Sequence, residues 1–362
     1  MIRKTLLFLM ASCAWALAGE PLDVSSDLDG ILKDTDVPGI AAVAMFHGEI
    51  VATGVAGVRK IGETPKITLQ DHFHIGSCTK SMTASLAAML VAEGKITWDT
   101  KAADVFRDVK IDPGFKDATL RQLLSNTGGA PHDVPAELWG TLSRSKLPEA
   151  EQRKMLVNGI LSDKPVYVPG EGSVYSNAGF SIGGAMLERV SGQSYEELAR
   201  RRLFAPLGIT SAGFGTPPSP GKIDQPYGHH KVNGALVAVS QDNPPAITPA
   251  GRVNLSILDF AKYASLHLGD LKGGGPLDAK QLDDLHRPVP PSKDYGCGWK
   301  SCQRDWAGGT ALTHTGTNTM FFAVMWLAPA KDFAVVVSCN SGEGEKTCDK
   351  VAWMLIGRCL PR

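Results

Sequence analysis

Residues 77–93, SCTKSMTASLAAMLVAE, decide the fold of this 362-residue chain, and Ser77-Cys78-Thr79-Lys80 opens them. Ala84, Leu86, Ala87, Ala88, Leu90 and Val91 supply apolar faces, and Gly94 is a natural stop, so the stretch reads as a helix. A serine and a lysine three apart lie on one helix face, about 5–6 Å apart at Cβ. Free N–H groups and the macrodipole at a helix N-terminus favour a developing negative charge. A hydroxyl beside an amine over such an end is an acyl-accepting nucleophile with its base. The same spacing recurs at Ser143/Lys146 and Ser219/Lys222, but in proline-flanked polar stretches with no apolar helix behind them. Those two are coincidences of composition.

Upstream of the helix, residues 40–46 and 49–58 read as strands joined by a tight His47-Gly48 turn, after a helix candidate over 22–36 that ends at Pro38-Gly39. Downstream come a helix through Val105-Phe106 and a helical set over 120–125 closed by Gly128-Gly129. Helices are then expected at 177–191, 194–204 and 255–268. Strand character returns around Gly298-Trp299-Lys300, 311–315, 320–327 and 333–338, and a helix over 350–356 follows. Strands at both ends with helices between them predict a mixed α/β (α+β) fold. One antiparallel sheet takes its strands from residues 19–115 and 290–362, and a mainly helical lobe, 116–289, is inserted between. Pro217 to Pro220 and Pro288 to Pro291 mark loops at the lobe edges. No internal repeat or low-complexity tract is visible.

The 37 basic and 37 acidic side chains cancel, and no basic block or aromatic-basic stripe points to nucleic acid. Arg3 and Lys4, the apolar run 6–16 and Ala16-Leu17-Ala18 form a secretory signal over residues 1–18, with cleavage before Gly19. The run is too short for a good transmembrane helix, so the mature chain is expected to be secreted or periplasmic, with no stable membrane insertion. A lipoprotein reading at Cys13 competes with this, although the apolar run continues past that residue. Six cysteines remain: Cys78, Cys297, Cys302, Cys339, Cys348 and Cys359. Export permits disulfides, and the crowding of the last five invites pairing there without fixing its connectivity. A separation of eleven positions along a helix argues against pairing Cys348 with Cys359. Cys78 reads as a small buried hydrophobe rather than a nucleophile.

Two further stretches bear on the chemistry. Tyr175-Ser176-Asn177 follows Pro169-Gly170-Glu171-Gly172 and precedes a helix. Tyr175, with an ordinary pKa near 10, is a base if the Lys80 cation lowers it. Asn177 has an amide for the lysine or for a substrate carbonyl. The plainer reading makes Ser176 or Asn177 an N-cap beside a buried tyrosine. His314-Thr315-Gly316 sits on an expected strand, where the glycine admits a substrate backbone and the histidine offers a switchable proton or a hydrogen bond to a carboxylate. Taken alone, that triplet is structural more often than not.

Together the three motifs, in this order and spacing, resemble the serine β-lactamase and penicillin-binding-protein family. The likeness is to the branch with class C β-lactamases, D-alanyl-D-alanine carboxypeptidases, D-aminopeptidases and class VIII esterases. Phe73 to Ser77, Leu123 to Gly129, Tyr175 to Gly192, Pro206-Leu207-Gly208 and Tyr295 to Trp299 carry it further, over about residues 25–345. The resemblance implies a β-lactamase/transpeptidase-like fold and a covalent acyl-enzyme. Ser77 Oγ attacks a carbonyl while Lys80 and Tyr175 take and relay the proton. The backbone N–H groups of Ser77 and Thr317 form the oxyanion hole, where each such donor is worth about 2.7–4 kcal/mol. Asn177 and the strand of His314, Thr315 and Gly316 hold the substrate, and no metal or organic cofactor is needed.

Departures from the pattern shape the expected substrate. Where many β-lactamases of this branch have Lys-Thr-Gly, this chain has His314, so efficient β-lactam hydrolysis is not expected. Met320 replaces a common glycine, which alters the expected slot, and Asn126 replaces a common histidine as a structural change. Gly179-Phe180-Ser181-Ile182-Gly183 mimics the esterase Gly-x-Ser-x-Gly pattern but lies inside a helix, so Ser181 is not the expected nucleophile. His72/His74 and His229/His230 lack further ligands at telling spacing and do not predict a metal. Trp98, Trp299 and Trp326 read as core or cleft wall. The expectation is a monomeric exported serine hydrolase of a small-molecule or peptidoglycan-type substrate, a D-amino-acid peptide ahead of a short-chain ester. A non-catalytic penicillin-binding protein is the rival from another class, and it has no need of Lys80 and Tyr175 together.

Overall fold

A computed structural model describes residues 20–269 and 274–361; the expected signal segment 1–18, with Cys13, lies outside them. A seven-stranded sheet organises the chain, in the order Leu22–Asp23, Glu49–Gly57, Gly39–Phe46, Phe333–Cys339, Phe322–Ala328, Gly309–Thr317, Lys300–Arg304. Strands from the two ends meet where Ile40 opposes Cys339 and Phe46 opposes Phe333. These two central strands are apolar along almost their whole length because both faces are covered. Glu49–Gly57 alternates, burying Ala52, Gly54 and Ala56, as a half-covered strand should.

Side-chain parity divides the core between two faces. Ala41, Val43 and Met45 pack with Met82 and Leu86 of the helix Thr79–Ala92 and with the helical part of the molecule. Ile40, Ala42 and Ala44 pack with Leu28, Val351 and Leu355, from the helices Ser25–Leu32 and Glu345–Cys359. Full burial of one such Val, Leu or Ile contributes about 1.5–3 kcal/mol. The nucleophile helix is therefore sandwiched between the sheet and the helices behind it, and twelve of its residues are buried.

Five expectations need correction. The sheet is not wholly antiparallel, since Leu22–Asp23 pairs in parallel with Ala52 and Thr53. The first helix accordingly begins only at Ser25, whose N–H donates to Asp23 Oδ1 in a local turn. The helix expected over 255–268 runs Ile257–Leu266, because Val253–Ser256 is drawn into a strand beside His72–His74 and Ser256 becomes the N-cap of Asp259. The middle of the chain also holds a hairpin, Gly228–Val232 with Ala235–Val239, turned by Asn233 and Gly234 at positive φ. Asn-Gly is the strongest short hairpin signal, so this one was readable. Last, the crowded C-terminal cysteines are free thiols, as is Cys78. Cys297 is buried in the core, Cys302 sits on the edge strand, and the Cys339 and Cys348 thiols are hydrogen-bonded to each other.

Candidate active site

Three segments converge on Ser77. The chain leaves the strand His72–His74, turns through Gly76–Cys78 and enters the helix Thr79–Ala92. Gly76 has φ +50, and a Cβ there would run into the backbone N of Thr317. Gly316 presses back from the opposite side: a Cβ on it would lie 2.6 Å from Ser77 N and 2.7 Å from Cys78 N. Two missing side chains thus let the strand Gly309–Thr317 lie directly against the nucleophile turn. This contact brings the Ser77 and Thr317 backbone nitrogens into neighbouring positions. Cys78 Sγ donates to His314 O, and burial raises its pKa, which leaves it an inert thiol.

Lys80 is fully buried. Its Nζ lies 3.0 Å from Ser77 Oγ, 2.7 Å from Asn177 Oδ1 and 2.8 Å from the carbonyl of Ala250. Burial brings its pKa down to about 7. A neutral amine has two N–H donors and one lone pair. The amide and carbonyl oxygens can only accept, so the lone pair is left for the Ser77 hydroxyl. Lys80 is thereby poised to take the serine proton.

Asn177 begins the helix Asn177–Ser191, and Ser176 caps it by accepting from Gly179 N at 2.9 Å. Ser176 is thus the N-cap of the plainer reading, and Asn177 beside it meets Lys80 with Oδ1. The Tyr175 ring centroid is 4.7 Å from Lys80 Nζ and its phenol is hydrogen-bonded to Ser77. Its pKa is not lowered by the lysine, as the sequence reading required; burial raises it. Tyr175 accordingly keeps its proton, as a donor and relay beside the base.

His314 also differs from expectation. Nδ1 donates to Thr315 O at 2.6 Å and Nε2 accepts from the Tyr295 phenol at 2.8 Å. Burial, with Lys80 nearby, brings its pKa down to about 3. The imidazole is neutral, and neither nitrogen is left for a substrate carboxylate. What the strand offers instead is backbone: pairing with Lys300–Arg304 stops at Thr313, so residues 314–317 present their edge to the cleft. Thr315 lines a neighbouring cavity of about 430 Å³ with Tyr295, Lys300 and Trp326, which adjoins the site through Tyr175 and His314. Thr317 Oγ1 accepts from Thr319 N, and Met320 is buried, its carbonyl accepting from His229 N.

The sequence reading gave Tyr295 and Asn126 no part in the site. Asn126, at φ +64, accepts from Ser176 N with Oδ1 and bonds the Tyr295 phenol, which completes a chain from Asn126 through Tyr295 to His314. Ala250, the third partner of Lys80, carries no sequence signal at all. Ser181 is buried and donates to Asn177 O, one turn along its helix. Trp98 and Trp299 are core residues, and Trp326 packs with Trp306 and Trp353 on the sheet face away from the nucleophile helix.

Residues 24–355 match the protein family described as Beta-lactamase. Penicillin-binding protein 4 of Amycolatopsis lactamdurans is 25% identical over 336 residues, 87% of this chain and 84% of that protein. Protein flp of Staphylococcus aureus is 21% identical over 313 residues, and the chain spans only 61% of its length. Among solved structures, the octameric penicillin-binding protein homologue from Pyrococcus abyssi superposes with a TM-score of 0.76 at 25% identity, over 92% of this chain and 76% of that one. A beta-lactamase/D-alanine carboxypeptidase from Pseudomonas syringae (TM-score 0.76, 17% identity, 93% and 98% covered) and a D-stereospecific amidohydrolase from Streptomyces (0.71, 22%, 91% and 97%) share the fold.

Proposed function

The chain belongs to the beta-lactamase family of serine hydrolases, and on that premise we propose that Ser77 is acylated by a small amide or ester which water then releases. The observation that carries this reading is the buried, deprotonatable Lys80 amine 3.0 Å from Ser77 Oγ. Lys80 accepts the hydroxyl proton as Oγ attacks the carbonyl carbon, and the N–H groups of Ser77 and Thr317 receive the oxyanion. The Tyr175 phenol, bonded to Ser77, gives its proton to the leaving group and regains one from the Lys80 ammonium, which leaves both neutral; water then attacks the ester, its proton passing to Lys80 and on to Ser77 Oγ as the ester C–O bond breaks. Asn177 holds Lys80 in place, and the edge at Thr315 pairs with an extended substrate.

A D-amino-acid peptide is the favoured substrate. The open strand edge suits an extended backbone, and two fold relatives are named for D-alanine and D-stereospecific substrates. An uncharged carboxylic ester is the second reading, favoured by a neutral His314 with no nitrogen to spare. We place the enzyme outside the cytoplasm after removal of residues 1–18, which an N-terminus at Gly19 on the mature protein would establish.

The test is mass spectrometry of the protein with a fluorescent penicillin, beside Ser77→Ala, and turnover of a D-Ala-D-Ala peptide against p-nitrophenyl butyrate. A persistent label on Ser77 with peptide turnover is the expected result. Butyrate turnover with the peptide untouched selects the esterase, and rapid loss of label shows β-lactam hydrolysis. Hydrolysis retained in Ser77→Ala overturns the mechanism.

A further inference from the structure

A buried carboxylate outside the catalytic set ties together three of the segments that shape it. The Asp242 side chain is 4% exposed and lies in the loop after the strand Ala235–Val239. Its Oδ2 accepts from His74 Nε2 at 3.2 Å and from Arg252 Nε at 3.1 Å, and its Oδ1 from Asn318 Nδ2 at 3.1 Å. Each partner adjoins a catalytic element. His74 is fully buried, and its Nδ1 accepts the N–H of Gly76 at 3.1 Å, one residue before Ser77. That bond fixes the tautomer, leaving the proton on Nε2 for Asp242. Asn318 follows Thr317 directly, and its Oδ1 is occupied by the N–H groups of Met320 and Phe321. Arg252 lies two residues after Ala250, whose carbonyl holds Lys80.

We infer that Asp242 is a positioning residue for the oxyanion hole, acting on the Ser77 donor through His74 and Gly76 and on the Thr317 donor through Asn318. The inference rests on the acyl-serine reading above. The two donors come from segments about 240 residues apart in sequence, at a junction where neither glycine has a side chain to hold it. Hydrogen bonds from one fixed carboxylate to both segments set their separation, which packing across two glycines leaves soft. Burial by itself would raise the Asp242 pKa, but His74, Arg252 and Asn318 outweigh it and hold the group ionised, down to about 2. A buried ion pair serving stability alone would require Arg252 and neither His74 nor Asn318.

Asp242→Asn and Asn318→Ala are compared with the wild type by three readouts: acylation of Ser77 by p-nitrophenyl acetate, followed by mass spectrometry; KM for that ester; and inhibition by phenylboronic acid, whose tetrahedral adduct places an oxygen in the hole. Complete loss of one donor costs about 10²–10³-fold in rate. Both variants are expected to acylate at least about ten-fold more slowly, towards that limit, with boronate affinity falling in parallel and KM little changed. Acylation at the wild-type rate overturns the inference, and so does slowed acylation with boronate affinity intact. If Asp242→Asn does not fold, Asn318→Ala decides by the same readouts. A wild type that is never labelled on Ser77 defeats the acyl-serine reading itself, which separates the two failures.

Discussion

A lysine amine surrounded by two obligate acceptors and one hydroxyl has only one useful protonation state. With Lys80 near pKa 7, kcat/KM is expected to climb about ten-fold per pH unit below 7 and to level off above it, as neutral amine accumulates. Lys80→Met should lose that limb and about 10²–10⁴-fold in acylation rate, read from the same pH series. The depressed pKa also acts on stability. Unfolded Lys80 binds its proton up to about pH 10.5, whereas the folded residue binds it only below about 7. Between those values the unfolded state therefore holds more protons, and stability rises with pH across the window. Tyr175 contributes no such limb, since burial moves its titration upward, away from the neutral range.

At the scale of elements, the contact that matters is a strand laid on a turn. Gly316→Ala would press a methyl group into Ile75 O and the Ser77 backbone. Acylation is expected to fall at least about 100-fold, by displacement of the Thr317 donor, and urea melts should show a loss of about 1–3 kcal/mol from overpacking. How far such elements are legible from sequence depends on where their partners lie. The pairing of Ser77 with Lys80 is helical geometry, and Asn177–Ser191 announces itself by Ser176 at one end and Gly192 at the other. The segment Val253–Ser256 has an apolar pattern that suits a helix as well as a strand, and His72–His74, nearly two hundred residues away, decides between them. His314 was found by its motif, but its charge state was not, because Tyr295 and Thr315 set it. Asp242 had no local signature, since every bond that gives it meaning is made to another segment.

On the scale of the whole molecule, the helices behind the cleft are fastened to one another by an ion cluster of their own. Arg153, fully buried on Glu149–Ser162, bonds Glu188 of Asn177–Ser191 and Glu196 of Tyr195–Ala199 with both arms of its guanidinium. Arg153→Met would strand two largely buried carboxylates, with an expected cost of about 3–5 kcal/mol in urea unfolding. Activity below the melting range should hold, because Glu188 lies about 16 Å along its helix from Asn177. The pairing of Ile40 with Cys339 has a consequence for the chain as it is made. Gly39–Phe46 and its hairpin partner leave the ribosome early, and the strand that covers their open edge follows roughly 290 residues later. At ~5–20 residues per second that is about 15–60 s, during which an apolar edge waits for its mate. Protection of that edge during synthesis, more than the final stability of the sheet, then decides how much enzyme a cell obtains.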